Sequence, residues 1–187
     1  MTRSHVVVTA ALLALASPAL ARDVAGVNVP DALAVGGEEL ALNGAGLRRA
    51  TMFNVKVYVG ALYLKARSSD AAAIVQADEP KSVHMRFVRD VGKDKVMGAF
   101  REGFEKNSGG DAKALAPALD EVAAVIPAEM KSGMQLAVTY VPAKGTTVAA
   151  PAGEVTIPGK AFADAMFKNW LGPHPADDDL KKAMLGK

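Results

Sequence analysis

The chain has no cysteine. That excludes disulfides, thiol catalysis, thiolate metal sites and a lipid-modified cysteine anchor, so stability must come from packing. Histidine is nearly as scarce: His5, His84 and His174 are the whole set. His84 has no carboxylate at ligand spacing and His174 sits between two prolines, so no metal motif forms, and neither a metal nor a cofactor is expected. No charge sign is in excess, with 22 Lys and Arg against 20 Asp and Glu spread along the chain. Nothing in that balance points to a nucleic-acid partner. Gly44-Ala45-Gly46 lacks the lysine and helix start of a phosphate loop. There is no Gly-x-Ser-x-Gly elbow and no nucleophile paired in sequence with a base. Beyond residue 21 no apolar run is long enough to span a bilayer.

What is present starts with an export pattern. Arg3 supplies a positive start, Val6 to Ala16 is a short apolar run, and Ala19-Leu20-Ala21 ends it with the Ala-x-Ala of a signal-peptidase site. Residues 1–21 therefore read as a signal peptide and residues 22–187 as one domain. The expected location is the periplasm of a Gram-negative bacterium, and the expected state is a monomer. The 187 residues leave room for one real core.

In the mature chain, Val24–Val29 and Ala32–Val35 read as strands divided by Pro30, with a turn at Gly36-Gly37. Glu39–Arg49 is extended, and Gly44 and Gly46 within it suggest a bulge or a close backbone approach. Phe53–Leu64 is the clearest strand. One of its faces (Phe53, Val55, Val57, Val59, Ala61, Tyr63) is uniformly apolar and is expected to meet a helical layer or core. The other (Asn54, Lys56, Tyr58, Gly60, Leu62, Leu64) is polar at its start and apolar at its end, which suits a cleft with a polar head site. Ser69–Gln76 reads as a short helix capped by Ser69 or Asp70, and Ser82–Val91 as a strand. Lys93–Asn107 is helical by spacing. A further helix capped by Asp111 carries Leu115, Leu119, Val122 and Ile126 and ends at Pro127. Met134–Val141, Thr146–Ala150 and Glu154–Ile157 form a meander. Lys160–Leu171 and Asp177–Leu185 are the last helices, the first burying Phe162, Met166, Phe167 and Trp170. Strands and helices come in runs, which favours an antiparallel α+β domain over a doubly wound one.

Three motifs in this order resemble the chalcone isomerase-like family, in its exported bacterial branch. They are Asn43-Gly44-Ala45-Gly46-Leu47-Arg48 leading into Lys56 to Leu64; Met85-Arg86-Phe87-Val88-Arg89-Asp90-Val91 leading into Phe100-Arg101-Glu102-Gly103-Phe104; and Phe167-Lys168-Asn169-Trp170-Leu171-Gly172 leading into the last helix. The resemblance implies an open-faced sandwich, a large curved antiparallel sheet with helices on one face and a cleft between them. In the plant isomerases an arginine after the Gly-x-Gly segment and a threonine on the next long strand meet the flavonoid. A lysine, a tyrosine and an asparagine complete their site. In the related fatty-acid-binding members arginine and tyrosine hold the carboxylate. Arg48 matches that arginine, with Arg49 as the alternate register, and Tyr58 stands where the fatty-acid binders have tyrosine. The isomerase tyrosine and asparagine fall near Lys95 and Glu102, so the resemblance carries over no catalytic residue.

Arg48 and Tyr58 are thus the main candidate ligand-binding residues, with Arg49 and Lys56 beside them. A guanidinium offers a planar fork that fits a carboxylate, and a phenol adds a donor without ionising. From residue types alone, a structural arginine paired with an acid and a tyrosine closing a core hydrogen bond is the simpler reading. For Lys56 too the simpler reading is a strand-edge lysine reaching solvent. Arg86, Arg89 and Asp90 read as a structural ion pair or cap, and Trp170 as core. The expected function is non-enzymatic binding of a fatty acid or similar amphipathic carboxylate. The alternative is an isomerase or lyase acting on an enone, with Tyr58 as proton donor.

Overall fold

The computed structural model describes residues 21–50, 53–108 and 112–187. Residues 1–20, which carry nearly all of the signal-peptide reading, and Asp111, the expected cap, lie outside the described residues.

The first strand is split where a single one was expected. Ala25 and Gly26 have φ of 54° and 83°, and two consecutive left-handed residues make the tight turn that matches the twist of a hairpin. β1 (Ala21–Val24) therefore folds back on β2 (Val27–Pro30). β3 (Ala32–Val35), β4 (Glu38–Ala50) and β5 (Val55–Leu64) follow, then α1 (Ala71–Gln76), capped by Asp70, which accepts from the Ala72 and Ala73 amides. β6 (Lys81–Phe87) leads into β7 (Val91–Gly92), which starts α2 (Lys93–Ser108). α3 (Ala112–Val125), β8 (Glu129–Met130), β9 (Gln135–Val141), β10 (Gly145–Ala150), β11 (Gly153–Ile157), α4 (Lys160–Leu171) and α5 (Asp178–Met184) complete the chain. The two-residue strands β7 and β8 pair with each other and were too short to read from sequence. Seven strands form one antiparallel sheet in the order β11-β10-β9-β6-β5-β4-β3. This is the α+β open-faced architecture expected, a curved sheet with a helical layer on one face. No helix among the described residues is long and apolar enough to cross a membrane.

Two irregularities in the β4–β5 ladder decide which side chains face the helices. The register slips between Leu42 and Gly44, and again where Arg48 pairs with Tyr58 but Arg49 pairs with Lys56. Each slip is a bulge, and each inverts the alternation beyond it. Before the first, Leu40 and Leu42 join Val59, Ala61 and Tyr63 in a small core under Val29 of the hairpin. After it, Gly44, Gly46 and Arg48 turn to the helical side. The second bulge, at Val57, puts Val57 and Tyr58 on the same side and sends Lys56 outward.

The expectation for β5 is therefore corrected. Its uniformly apolar face meets a core as expected, but is divided by the bulge: Val59, Ala61 and Tyr63 meet the hairpin core, while Val57 joins the main core under the helices. The mixed face supplies Tyr58, Leu62 and Leu64 to the main core with α2, α3 and α4. The bulged residue Asn43 is a clasp. Its Nδ2 donates to Ser68 O at 2.9 Å and Met184 O at 2.7 Å, while its Oδ1 accepts from the Ser68 amide at 2.8 Å.

On the outer face His84 lies against Tyr63, ring centroids 5.3 Å apart, and Gln135 Nε2 is 3.4 Å from its Nδ1. Burial first, and the Arg86 charge second, push its pKa down to about 4. The folded state therefore resists protonation that the unfolded chain accepts near pH 6.5. Stability from this group is complete above about pH 6.5 and is lost as pH falls toward 4. His84→Gln is expected to remove about 2 kcal/mol of the loss between pH 7 and pH 5, read from urea denaturation at both. Equal pH slopes for the two proteins would sink this assignment.

Candidate functional site

The sheet and the helical layer part at the Arg48 end of β4, leaving a cavity of about 620 Å³. That is within the usual range for small-molecule sites. Its floor is the sheet, through Val57, Tyr58, Met85 and Phe87; its roof is Val96 and Phe100 of α2 and Trp170 of α4.

Tyr58 lies at the Arg48 end of this space. Its ring lies 5.7 Å from Phe87, and the Arg48 guanidinium carbon is 5.6 Å from its centroid. The indole Nε1–H of Trp170 donates to the phenol oxygen at 2.9 Å. That bond occupies the oxygen as acceptor and, among the described residues, the phenol proton has no acceptor. The hydroxyl is left as a donor to the cavity. Burial raises the Tyr58 pKa above that of a free phenol, with Arg48 and the Trp170 bond opposing it and Asp177 adding to it. The group therefore stays neutral.

Arg48 reaches the same space because the Gly44–Gly46 segment crosses under α5 without side chains. It is half-buried. Among the described residues it has no ion pair, and its buried Nε has no hydrogen-bond partner. A guanidinium above an aromatic face gains from the ring quadrupole, but its in-plane donors still need an acceptor. Arg48 and Tyr58 thus converge on one space with unspent donors.

The other two candidates are not brought there. Arg49 faces outward, and its backbone amide donates to Asp177 Oδ2 at 2.8 Å. Lys56 is exposed and lies opposite Arg49 on the outer face. Neither lines the cavity. The shared face of Lys56 and Tyr58 expected from simple alternation is removed by the bulge at Val57.

Several lining residues were assigned other roles in the sequence reading. Trp170 is buried core as expected, but it also holds the Tyr58 oxygen. Asp90 is paired, but with Lys131 at 3.0 Å and with the Ser132 amide at 2.8 Å. Arg89 reaches the cavity rim exposed, within the field of Asp90 but in no salt bridge among the described residues. Lys95, Ala99 and Glu102 line one wall. Their i, i+4, i+7 spacing was a readable signal for a single helix face. Among the described residues no group of three or more histidines and carboxylates is placed to hold a metal.

Comparison with known proteins identifies the pattern. No curated protein matches the chain. Among solved structures it is similar to the crystal structure of an Arabidopsis thaliana fatty-acid-binding protein, with a TM-score of 0.68, 16% identity, and coverage of 86% of this chain and 92% of that one. At that identity the likeness is one of fold. The sequence model for chalcone isomerase-like proteins matches residues 21–186. With that match running across the whole sheet, the helical layer and every residue of the cleft, the chain belongs to the chalcone isomerase-like family.

Proposed function

We propose that this chain is an exported, non-enzymatic binder of an amphipathic carboxylate, a fatty acid being the simplest such ligand. The observation that carries the reading is the half-buried Arg48, with no acidic partner among the described residues, beside a neutral phenol at one end of an apolar cavity of about 620 Å³. A carboxylate completes that set: it accepts from the guanidinium and from the Tyr58 hydroxyl, while methylenes cover Val57, Met85, Phe87 and Phe100. Each buried methylene contributes about 0.8 kcal/mol, so a chain soon outweighs its head. The plant protein of the same fold, described as a fatty-acid-binding protein, supports the reading. The export pattern of residues 1–21 fits a protein working in the periplasm, and we take it to work there as a monomer.

The test is titration of delipidated protein with saturated fatty acids of graded length. Affinity is expected to climb with each methylene until the cavity is full; no uptake at any length would sink the proposal. Tyr58→Phe is expected to lower affinity about tenfold through the lost donor. It also leaves the Trp170 N–H unpaired, at a cost of about 1–3 kcal/mol in stability by denaturation. An unchanged affinity would move the head group elsewhere. The isomerase reading has Tyr58 as its proton donor. Lys95 and Glu102 stand where the family's catalytic tyrosine and asparagine belong. Chalcone turnover above the spontaneous rate, lost in Tyr58→Phe, is the result that would favour it.

A further inference from the structure

Arg48 is not the only cation lining the cavity outside a salt bridge among the described residues. Arg89 and Lys95 also line it, and among the described residues neither has an ion pair or a side-chain hydrogen bond. Three acids line it as well, and each is held by a lysine that does not. Lys131 takes both Asp90, at 3.0 Å, and Glu129; Lys106 takes Glu102 at 2.6 Å. Each acid is thus engaged by a lysine outside the cavity, and the three cations line it without a salt bridge among the described residues.

Their placement is polarised. Arg48 pairs with Tyr58 and Tyr58 with Phe87, so the strand end that leads to Arg89 lies two strands, about 10 Å, across the sheet from Arg48, whose charge reaches Glu102 on α2. Lys95 lies seven residues earlier on α2, about 10 Å along the helix axis. It stands beside β7 and the Arg89–Asp90 segment, which form the opposite end. Between the two ends the lining is apolar: Val96, Ala99 and Phe100 above, Val57, Met85 and Phe87 below.

A plain fatty acid matches only one of these ends. Its methyl terminus would lie against Arg89 and Lys95, covering charged groups without offering an acceptor. From this we infer that the ligand is anionic at both ends, a straight-chain α,ω-dicarboxylate being the simplest member of the class. Arg48 with Tyr58 takes one carboxylate, and Arg89 with Lys95 the other. The inference rests on the carboxylate reading of the Arg48 end.

The experiment compares decanoate with decanedioate by calorimetric titration of the delipidated chain at pH 8, where all the acids are ionised. The wild type is expected to bind decanedioate about tenfold more tightly than decanoate, since a second charge-assisted contact replaces a terminal methyl. In Arg89→Gln/Lys95→Gln the ratio is expected to fall below one, because the second carboxylate then has no partner. Both side chains are exposed, so the double variant keeps its core. A ratio near one in the wild type overturns the inference, as does an unchanged preference in the double variant. Binding of decanoate alone removes this inference and keeps the fatty-acid reading. Binding of neither removes both.

Discussion

Arg48→Met is expected to lose about a hundredfold in affinity for a long-chain carboxylate while unfolding no more easily than the wild type. The affinity term comes from two charge-assisted hydrogen bonds, together about 3 kcal/mol. The stability term is a near cancellation. Removing the guanidinium forfeits its contact with the Tyr58 ring, about 0.5–2 kcal/mol. It also relieves a buried Nε without a partner, which costs about 1–3 kcal/mol. Methionine keeps most of the apolar stem against the cleft wall. The net change is expected within about 1 kcal/mol, on either side of zero. Few positions in a protein combine a large loss of binding with so little effect on folding; those that do hold groups kept for a ligand. Fatty-acid titration and urea denaturation of the same sample decide it. Unchanged affinity places the carboxylate elsewhere. A stability loss of several kcal/mol makes Arg48 a structural group and the binding loss uninformative.

The parts of the fold that follow from period alone were legible. The long β4 and β5 strands, the meander of β9 to β11 and the buried side of α4 follow from alternation or helical spacing, and their boundaries moved by a residue or two. The errors in which way β4 and β5 side chains face have one physical cause: a strand's alternation holds only until a bulge. Leu42 and Gly44 are on opposite sides of the sheet despite the even step between them, because Asn43 is the extra residue. Val57 and Tyr58 face the same way although they are neighbours. No composition rule places a bulge at Val57, and Lys56 was assigned to the cleft for that reason. Gly44 and Gly46 did signal a bulge or a close approach, and both are present. Trp170 illustrates the other limit. An aromatic on a helix's apolar side reads as core, and its N–H bond to Tyr58 spans 112 residues of sequence.

The second large effect lies in the glycines that let β4 pass beneath α5. Gly44→Ala is expected to destabilise the chain by about 3 kcal/mol, an overpacking penalty at its upper end. A Cβ at Gly44 would sit 2.1 Å from the carbonyl oxygen of Ala183 and 2.8 Å from that of Met184, both backbone atoms of the C-terminal helix and its end. Neither can turn aside without moving α5, and α5 is anchored on both flanks of the contact. Asn43 holds Met184 O at 2.7 Å, and Asp177 holds the Arg49 amide at 2.8 Å. Gly46→Ala meets a different obstacle, since its Cβ would lie 2.5 Å from the Ala183 side chain. The two substitutions should therefore respond differently to Ala183→Gly. That change carries its own cost of about 1 kcal/mol in a helix, yet it removes the atom that blocks Gly46→Ala and leaves the carbonyl that blocks Gly44→Ala. A double-mutant cycle by denaturation is expected to show favourable coupling for the Gly46 pair and none for the Gly44 pair. Equal coupling would mean that α5 lifts as a unit. In that case both substitutions should also shift the Arg48–Arg49 strand end through Asp177, and fatty-acid affinity would fall in step with stability.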